Sequence, residues 1–255
     1  MKREPGYFTR QEFAIEYGMV FADKLKTNIS PAKMPQAVLL GGQSGAGKTT
    51  LHRVNIELMN HNATVINGDE YRSLHPRFLE LDEKYGKDSV VHTAAWAGNM
   101  VEALVDGLSR MKYNLIIEGT LRTAEAPTKT ATLLRERGYG VSLALMAVKP
   151  DISLISCQIR YHEMRIAGTV PRAVDPKHHM TIVENIVSNL EMLENSGLFD
   201  SIALYDRAKT QLFPRNPETR KASEALHEIL YGPWSSEEKL HYEWLKHRLN
   251  DLEAQ

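Results

Sequence analysis

Near the start of the chain, apolar residues recur every four positions at Phe13, Tyr17, Phe21 and Leu25. This single stripe predicts a helix over 9–26. Thr9 followed by Glu12 fits a capping box at its first turn. Packing on the main domain is the expected use of the stripe, with docking of a partner as the alternative. A linker over 28–35 follows. Beyond it, short apolar runs at 37–40, 64–66, 114–117, 141–148 and 201–205 alternate with longer helical stretches at 48–60, 89–111, 127–137 and 178–196, with a further helix after Pro150-Asp151. In the 89–111 segment, Val90, Ala94, Val101, Leu104, Val105 and Leu108 are expected to face mostly inward. Gly138 and Gly197 stand where helices stop. A loop is expected over 167–176. The tail holds a helix over 218–229, ended by Gly232-Pro233. A last helix follows, which Ser235 or Ser236 can cap and whose apolar edge is Leu240, Trp244, Leu249 and Leu252.

Alternating apolar strands and longer helices argue for an α/β fold with a mostly parallel sheet flanked by helices on both faces, a three-layer arrangement. In such sheets the sites gather at the carboxyl ends of the strands. The expected division is an N-terminal helical extension over 1–35, a central domain over 36–232 and a C-terminal helix over 233–255.

Composition narrows the partners. The chain has 255 residues, is 42% hydrophobic and carries 31 Lys plus Arg against 32 Asp plus Glu. That supports one sizeable core and gives no global attraction to nucleic acid or to an anionic membrane. Cys157 is the lone cysteine, so no internal disulfide is expected, and a structural zinc site is not expected either. With no secretion-type start and no run of membrane-span length, a soluble cytoplasmic protein is the expectation. The ten histidines form no metal pattern, and the neighbours His178-His179 point apart on a helix. Trp96 and Trp234 read as packing residues.

The chemistry begins at Gly42-Gln43-Ser44-Gly45-Ala46-Gly47-Lys48-Thr49-Thr50, which follows the run Ala37-Val38-Leu39-Leu40-Gly41. Glycines at this spacing let backbone N–H groups turn inward around phosphates. Lys48 adds a point charge and Thr49 a hydroxyl for Mg²⁺. A nucleoside triphosphate site is expected, against a plain glycine-rich turn. Asp69 comes directly after a strand, twenty-one residues past Lys48. It is placed to take a proton from a substrate hydroxyl attacking the γ-phosphorus, to hold Mg²⁺ through water, or to bond nearby backbone. Glu118 occupies the equivalent place after another strand, for substrate, for a metal-bound water, or as a cap on Gly119 or Thr120. Positive charge over the moving phosphoryl group is also needed. Lys48 supplies one side, and Arg160 and Arg172 are candidates for the other, with Arg165 and Arg122 as competitors. On pattern alone, Glu102 is an ordinary helix glutamate.

Several stretches resemble the zeta-toxin family, and closely its PezT-type members. They are Leu39 to Thr50, Gly68-Asp69, His75-Pro76, Tyr85-Gly86-Lys87-Asp88-Ser89-Val90, Tyr113 to Thr123 (which contains Glu118-Gly119-Thr120-Leu121-Arg122) and Arg160-Tyr161. The resemblance covers roughly residues 8 to 232. It implies a P-loop kinase fold and a toxin kinase of a toxin–antitoxin pair, using ATP and Mg²⁺ to phosphorylate the 3′-hydroxyl of the amino sugar in UDP-N-acetylglucosamine and so drain the cell-wall precursor pool. By matching position, Lys48 and Thr49 look like holders of ATP phosphates and metal, and Asp69 like the base. Glu102, Glu118, Thr120, Arg122 and Thr130 look like sugar-nucleotide contacts, and Arg160 and Arg172 like the charge clamp. The family also implies a small helical antitoxin that obstructs the ATP site.

Two departures stand out. Glu70 follows Asp69 where family members vary around Ser or Thr, which sets a second negative charge beside the base with its side chain expected to face away. Val170-Pro171 precede Arg172 where related chains commonly have Gln or Thr and then Ala. The rival readings are a P-loop kinase for another small hydroxyl acceptor and a non-catalytic ATP-gated binding module.

Overall fold

A computed structural model describes residues 4–27, 29–169, 174–215 and 219–254. Its centre is a six-stranded sheet in the order β2-β3-β1-β4-β5-β6. The strands are β1 (Gln36–Gly41), β2 (Thr64–Asn67), β3 (Leu115–Glu118), β4 (Gly140–Met146), β5 (Ser201–Tyr205) and β6 (Gln211–Phe213). The first five run parallel, and β6 pairs antiparallel with β5 at the edge. The expected strands are present, and β6 is an addition that three residues of local pattern did not announce.

Period-two alternation sorts the strand residues between two faces. Ala37 and Leu39 of β1 join one core with Ile66, Leu115, Ile117, Leu143 and Leu145. Val38 and Leu40 join the other with Ile116, Ala144 and Met146. The first core is covered by α1 (Arg10–Lys26), α6 (Ala94–Arg110), α7 (Glu125–Glu136), α9 (Pro176–Asn195) and α10 (Ala222–Tyr231). The second is covered by α2 (Thr49–Leu58), α8 (Pro150–Ile166) and α11 (Ser236–Glu253). The result is the three-layer, P-loop kinase-like α/β architecture. Among the described residues, no helix is long and apolar enough to cross a membrane.

The stripe of α1 lies against the first core, and the Thr9–Glu12 capping box forms in both directions. Gly107 makes this closure possible: a methyl group there would stand 2.5 Å from the Tyr17 hydroxyl and 2.7 Å from Phe21. Trp96 is fully buried, with Phe8, Phe13 and His75 edge-on at 5.0, 5.4 and 5.3 Å between ring centres. Its Nε1 donates to the Tyr71 carbonyl at 3.0 Å, which ties the chain just after Asp69 to the core. At the other end of the chain, Ser235 caps α11, with Glu238 completing the box.

The expected long helix over 89–111 is in fact two. A short α5 (Ser89–His92) stops at Thr93, and α6 restarts at Ala94. The Thr93 hydroxyl turns back onto the Ser89 carbonyl at 3.0 Å, and Arg72 takes the Val90 carbonyl at 2.8 Å, so side chains compete with the helical ladder. As a consequence Val90 and Ala94 are exposed, while Leu104, Val105 and Leu108 are buried as expected. Residues 68–85 fold into further short turns, including α3 (Gly68–Tyr71), a 3-10 turn over Arg72–Leu74 and α4 (Phe78–Tyr85).

Candidate active site

A cleft of about 850 Å³ opens at the carboxyl ends of β1, β2 and β3. β1 enters it as the phosphate-binding loop. Gly42, Gly45 and Gly47 all take positive φ, at 131°, 77° and 97°, a region costly to other residues. Ser44, Gly45, Gly47, Lys48 and Thr49 line the cleft. Gln43 and Ala46 are wholly buried instead. Gln43 Nε2 donates to the Val148 carbonyl at 2.7 Å, and Ala46 packs into the core beneath. These two support the loop from below; their side chains do not reach its cavity. Gly42 and Thr50 also lie off the cleft surface.

Lys48 is almost enclosed. Its Nζ donates to the Gly42 carbonyl at 2.9 Å and the Gln43 carbonyl at 3.2 Å, and lies 4.0 Å from Glu118 Oε1. Burial pushes its pKa down, and the nearby charges of Glu118 and Asp69 oppose that shift. The parallel register sets Glu118 beside Leu40 of β1 and Asn67 of β2, hence between the loop and Asp69. His52, one helical turn beyond Lys48, brings Nε2 to 2.6 Å from Glu118 Oε2. Glu118 does not cap Gly119, whose N–H is taken by the Leu40 carbonyl at 2.9 Å.

Asp69 sits in α3, whose first turn is capped by Asn67 Oδ1 accepting from the Asp69 N–H at 3.1 Å. Its carboxylate lies 2.9 Å from Arg72 Nε. Glu70 does not line this cleft. It borders a separate hollow beside Lys24 and Tyr71, with Asn67 Nδ2 3.4 Å away, so the second negative charge faces away as expected.

The far wall is built from α6, α7 and the turn after β3. Glu102 of α6 pairs with Lys129 of α7 at 2.9 Å, both side chains largely exposed. Thr120, Arg122 and Thr130 line the same space. Between Thr120 and Arg122, Leu121 is buried at φ 57°, a left-handed conformation unusual for leucine. Asn189 of α9 holds it there by donating to the Leu121 and Arg122 carbonyls at 2.9 and 2.8 Å. Arg160 reaches the cleft from α8, and its buried Nε meets no hydrogen-bond acceptor among the described residues. An unsatisfied guanidinium N–H beside a glycine cradle fits an anionic ligand.

One cleft therefore gathers Lys48, Thr49, Asp69, Glu102, Glu118, Thr120, Arg122, Thr130 and Arg160. Arg165 is exposed and does not line it. Arg172, with Val170 and Pro171, lies outside the described residues. His178 faces the cleft, whereas His179 is fully buried with Nε2 2.9 Å from Ser153 Oγ, so the neighbours do point apart. Sequence reasoning missed His52, Arg72, Lys129 and Asn189. The first two stand four residues from Lys48 and three from Asp69, spacings that a helical reading could have caught. The others meet their partners only through the tertiary fold.

Known proteins resemble the chain in sequence and in fold. The model of the Zeta toxin family matches residues 21–218. Toxin PezT of Streptococcus pneumoniae serotype 4 (strain ATCC BAA-334 / TIGR4) is 47% identical over 222 residues, covering 87% of this chain and 88% of that protein. Toxin zeta of Streptococcus pyogenes is 40% identical over 180 residues, 70% of this chain and 63% of the relative. A solved chain from work on the PezAT chromosomal toxin-antitoxin system of Streptococcus pneumoniae superposes with a TM-score of 0.88 at 41% identity, covering 99% of this chain and all of that one. A chain of the AvrRxo1-ORF1:-ORF2 complex with ATP, at 13% identity and a TM-score of 0.56 over 94% of this chain and 82% of that one, shares the fold alone. With a family match across most of its length and a relative nearly half identical, the chain belongs to the Zeta toxin family.

Proposed function

We propose that this protein is a toxin kinase that transfers the γ-phosphoryl group of ATP to the 3′-hydroxyl of the N-acetylglucosamine moiety of UDP-N-acetylglucosamine. One observation carries the reading: phosphate-binding groups and an acidic wall share a single continuous cleft. Lys48 and the loop glycines hold the donor's phosphates at one end. Asp69 takes the proton of the acceptor hydroxyl as its oxygen bonds to the γ-phosphorus and ADP departs. Arg160 supplies charge to the transferred group through a guanidinium that has spare donors, and Arg172 is proposed as its counterpart. Glu118 and Glu102 accept from sugar hydroxyls, while Thr120, Arg122 and Thr130 offer donors to the rest of the sugar nucleotide.

Thr49 supplies a hydroxyl ligand for Mg²⁺, which when bound neutralises charge on the donor phosphates. The product would be useless for wall synthesis, and the acceptor pool lies in the cytoplasm, where the enzyme would act. The likeness to a chain of the PezAT toxin-antitoxin system supports a cognate antitoxin, which we propose is helical and obstructs the ATP site. The test is purified protein with ATP, Mg²⁺ and a panel of sugar nucleotides and other small alcohols, followed by mapping of the new phosphate. Phosphorylation of UDP-N-acetylglucosamine at the 3′-oxygen is expected. Transfer only to another acceptor, or tight ATP binding with no transfer at all, overturns the assignment.

A further inference from the structure

We propose that Arg207 is a positioning residue for the phosphate-binding loop, one that holds the Gly45 and Ala46 carbonyls outward so that the Gly47 N–H stays turned toward the donor phosphates. Arg207 lies in the turn between β5 and the antiparallel β6, far from the loop in sequence. Its Nη2 donates to the Gly45 carbonyl and, at 2.9 Å, to Ser156 Oγ of α8, while Nε approaches the Ala46 carbonyl at 3.4 Å. The side chain also passes over the next residue: a methyl group on Gly47 would stand 3.5 Å from Arg207 Cγ. One planar guanidinium thus spans two consecutive loop carbonyls and the neighbouring helix.

The consequence follows from peptide geometry. In a trans peptide the carbonyl and the following N–H point in opposite directions. Fixing the Ala46 carbonyl against Arg207 fixes the Gly47 N–H on the other side, and Gly47 lines the cleft while Ala46 does not. Gly47 takes positive φ and has no side chain to restrain the peptide before it. Within the loop, the Gly45–Ala46 peptide is already held by the Ala46 N–H donating to the Gln43 carbonyl at 3.2 Å, and the Lys48 ammonium binds the carbonyls of Gly42 and Gln43, so the Ala46 carbonyl is the one that depends on Arg207. Arg207 is absent from the cleft lining, so it acts through the loop and does not touch the acceptor. The proposal rests on reading the site as a kinase centre and deepens it at the donor end.

The experiment measures ATP affinity of the full chain by calorimetry with Mg²⁺, together with steady-state KM for ATP and for UDP-N-acetylglucosamine. Arg207→Ala is expected to weaken ATP binding on the order of tenfold to a hundredfold, since a displaced cradle loses aligned donors. The acceptor KM should stay within about twofold. Arg207→Lys, which can reach one carbonyl but not two, should fall between wild type and alanine, and it serves as the measure if the alanine variant does not fold. Folded variants with wild-type ATP affinity overturn the proposal. So does an equal loss for both substrates that tracks a lowered melting temperature, because that is a merely structural role. A wild-type chain that bound no ATP would overturn the kinase reading itself, and this inference with it.

Discussion

Arg72 Nε stands 2.9 Å from Asp69 Oδ1 and, through Nη1, 2.8 Å from the Val90 carbonyl, so one guanidinium ties the carboxylate of α3 to α5, just before the break at Thr93. The candidate base is thereby held by a side chain that is itself anchored. Asp69→Asn keeps the shape and removes the proton acceptor. Turnover on UDP-N-acetylglucosamine should fall by about 10²- to 10⁴-fold, with ATP affinity little changed by calorimetry. Arg72→Lys should not restore the loss seen in Arg72→Ala, because a point charge cannot make both contacts.

His52 faces Glu118 from α2 while Lys48 faces its other oxygen. His52→Ala removes one of the two side chains facing the carboxylate and frees its rotamer. The acceptor KM should rise by about tenfold, in line with loss of a contact to a charged group, while ATP affinity is retained. Separate titrations of the two substrates check this, and an unchanged acceptor KM would remove Glu118 from the acceptor contacts or His52 from its support.

Gly45 has no room for a side chain. Its φ is 77°, and a methyl group would meet the Ser153 carbonyl at 2.0 Å and Cys157 Sγ at 2.6 Å. Gly45→Ala therefore combines left-handed strain of about 1–2 kcal/mol with overlap against α8. A melting temperature lower by about 4 °C or more is expected for a chain of this size, together with loss of ATP binding. Thermal unfolding and calorimetry on the same sample test the two effects together.

Asp106 is held by Arg110 at 3.0 Å and Arg137 at 2.5 Å, and their hydrogen bonds lower its pKa to about 2 from the usual 3.8. A carboxylate depressed in the folded state stabilises above the unfolded value, and that contribution is lost as pH falls through 3.8 toward 2. Asp106 is 46% exposed, so screening limits the contribution to about 1 kcal/mol or less. Asp106→Asn should be less stable than wild type at pH 7, and the gap should close near pH 2. Urea unfolding at both pH values measures it.

Much of this architecture could be read directly from the chain because the signals were local. The glycine spacing before Lys48, the carboxylates at the ends of β2 and β3, and the Thr9–Glu12 box each depend on neighbours within a few residues. The break at Thr93 could not be read, because it arises from Arg72 reaching over from another segment. Leu121 carries no mark of its left-handed backbone, which Asn189 enforces from α9. Glu102 looks like any surface glutamate until α7 is folded beside it. The N-terminal stripe promised a packed face, and the face is packed, yet no residue of α1 is fully buried, as suits a helix laid on the outside of a finished core.

The site's parts come from β1, β2, β3, α6, α7 and α8, the last ending at Ile166, and β1 lies between β3 and β4. A chain still emerging from the ribosome therefore has no working centre, since Asp69 and Arg160 are brought together by sheet assembly and by nothing nearer. On the proposed reading, the toxin would begin to act only after α8 has been made and folded, which would leave an interval in which an antitoxin made alongside could be waiting.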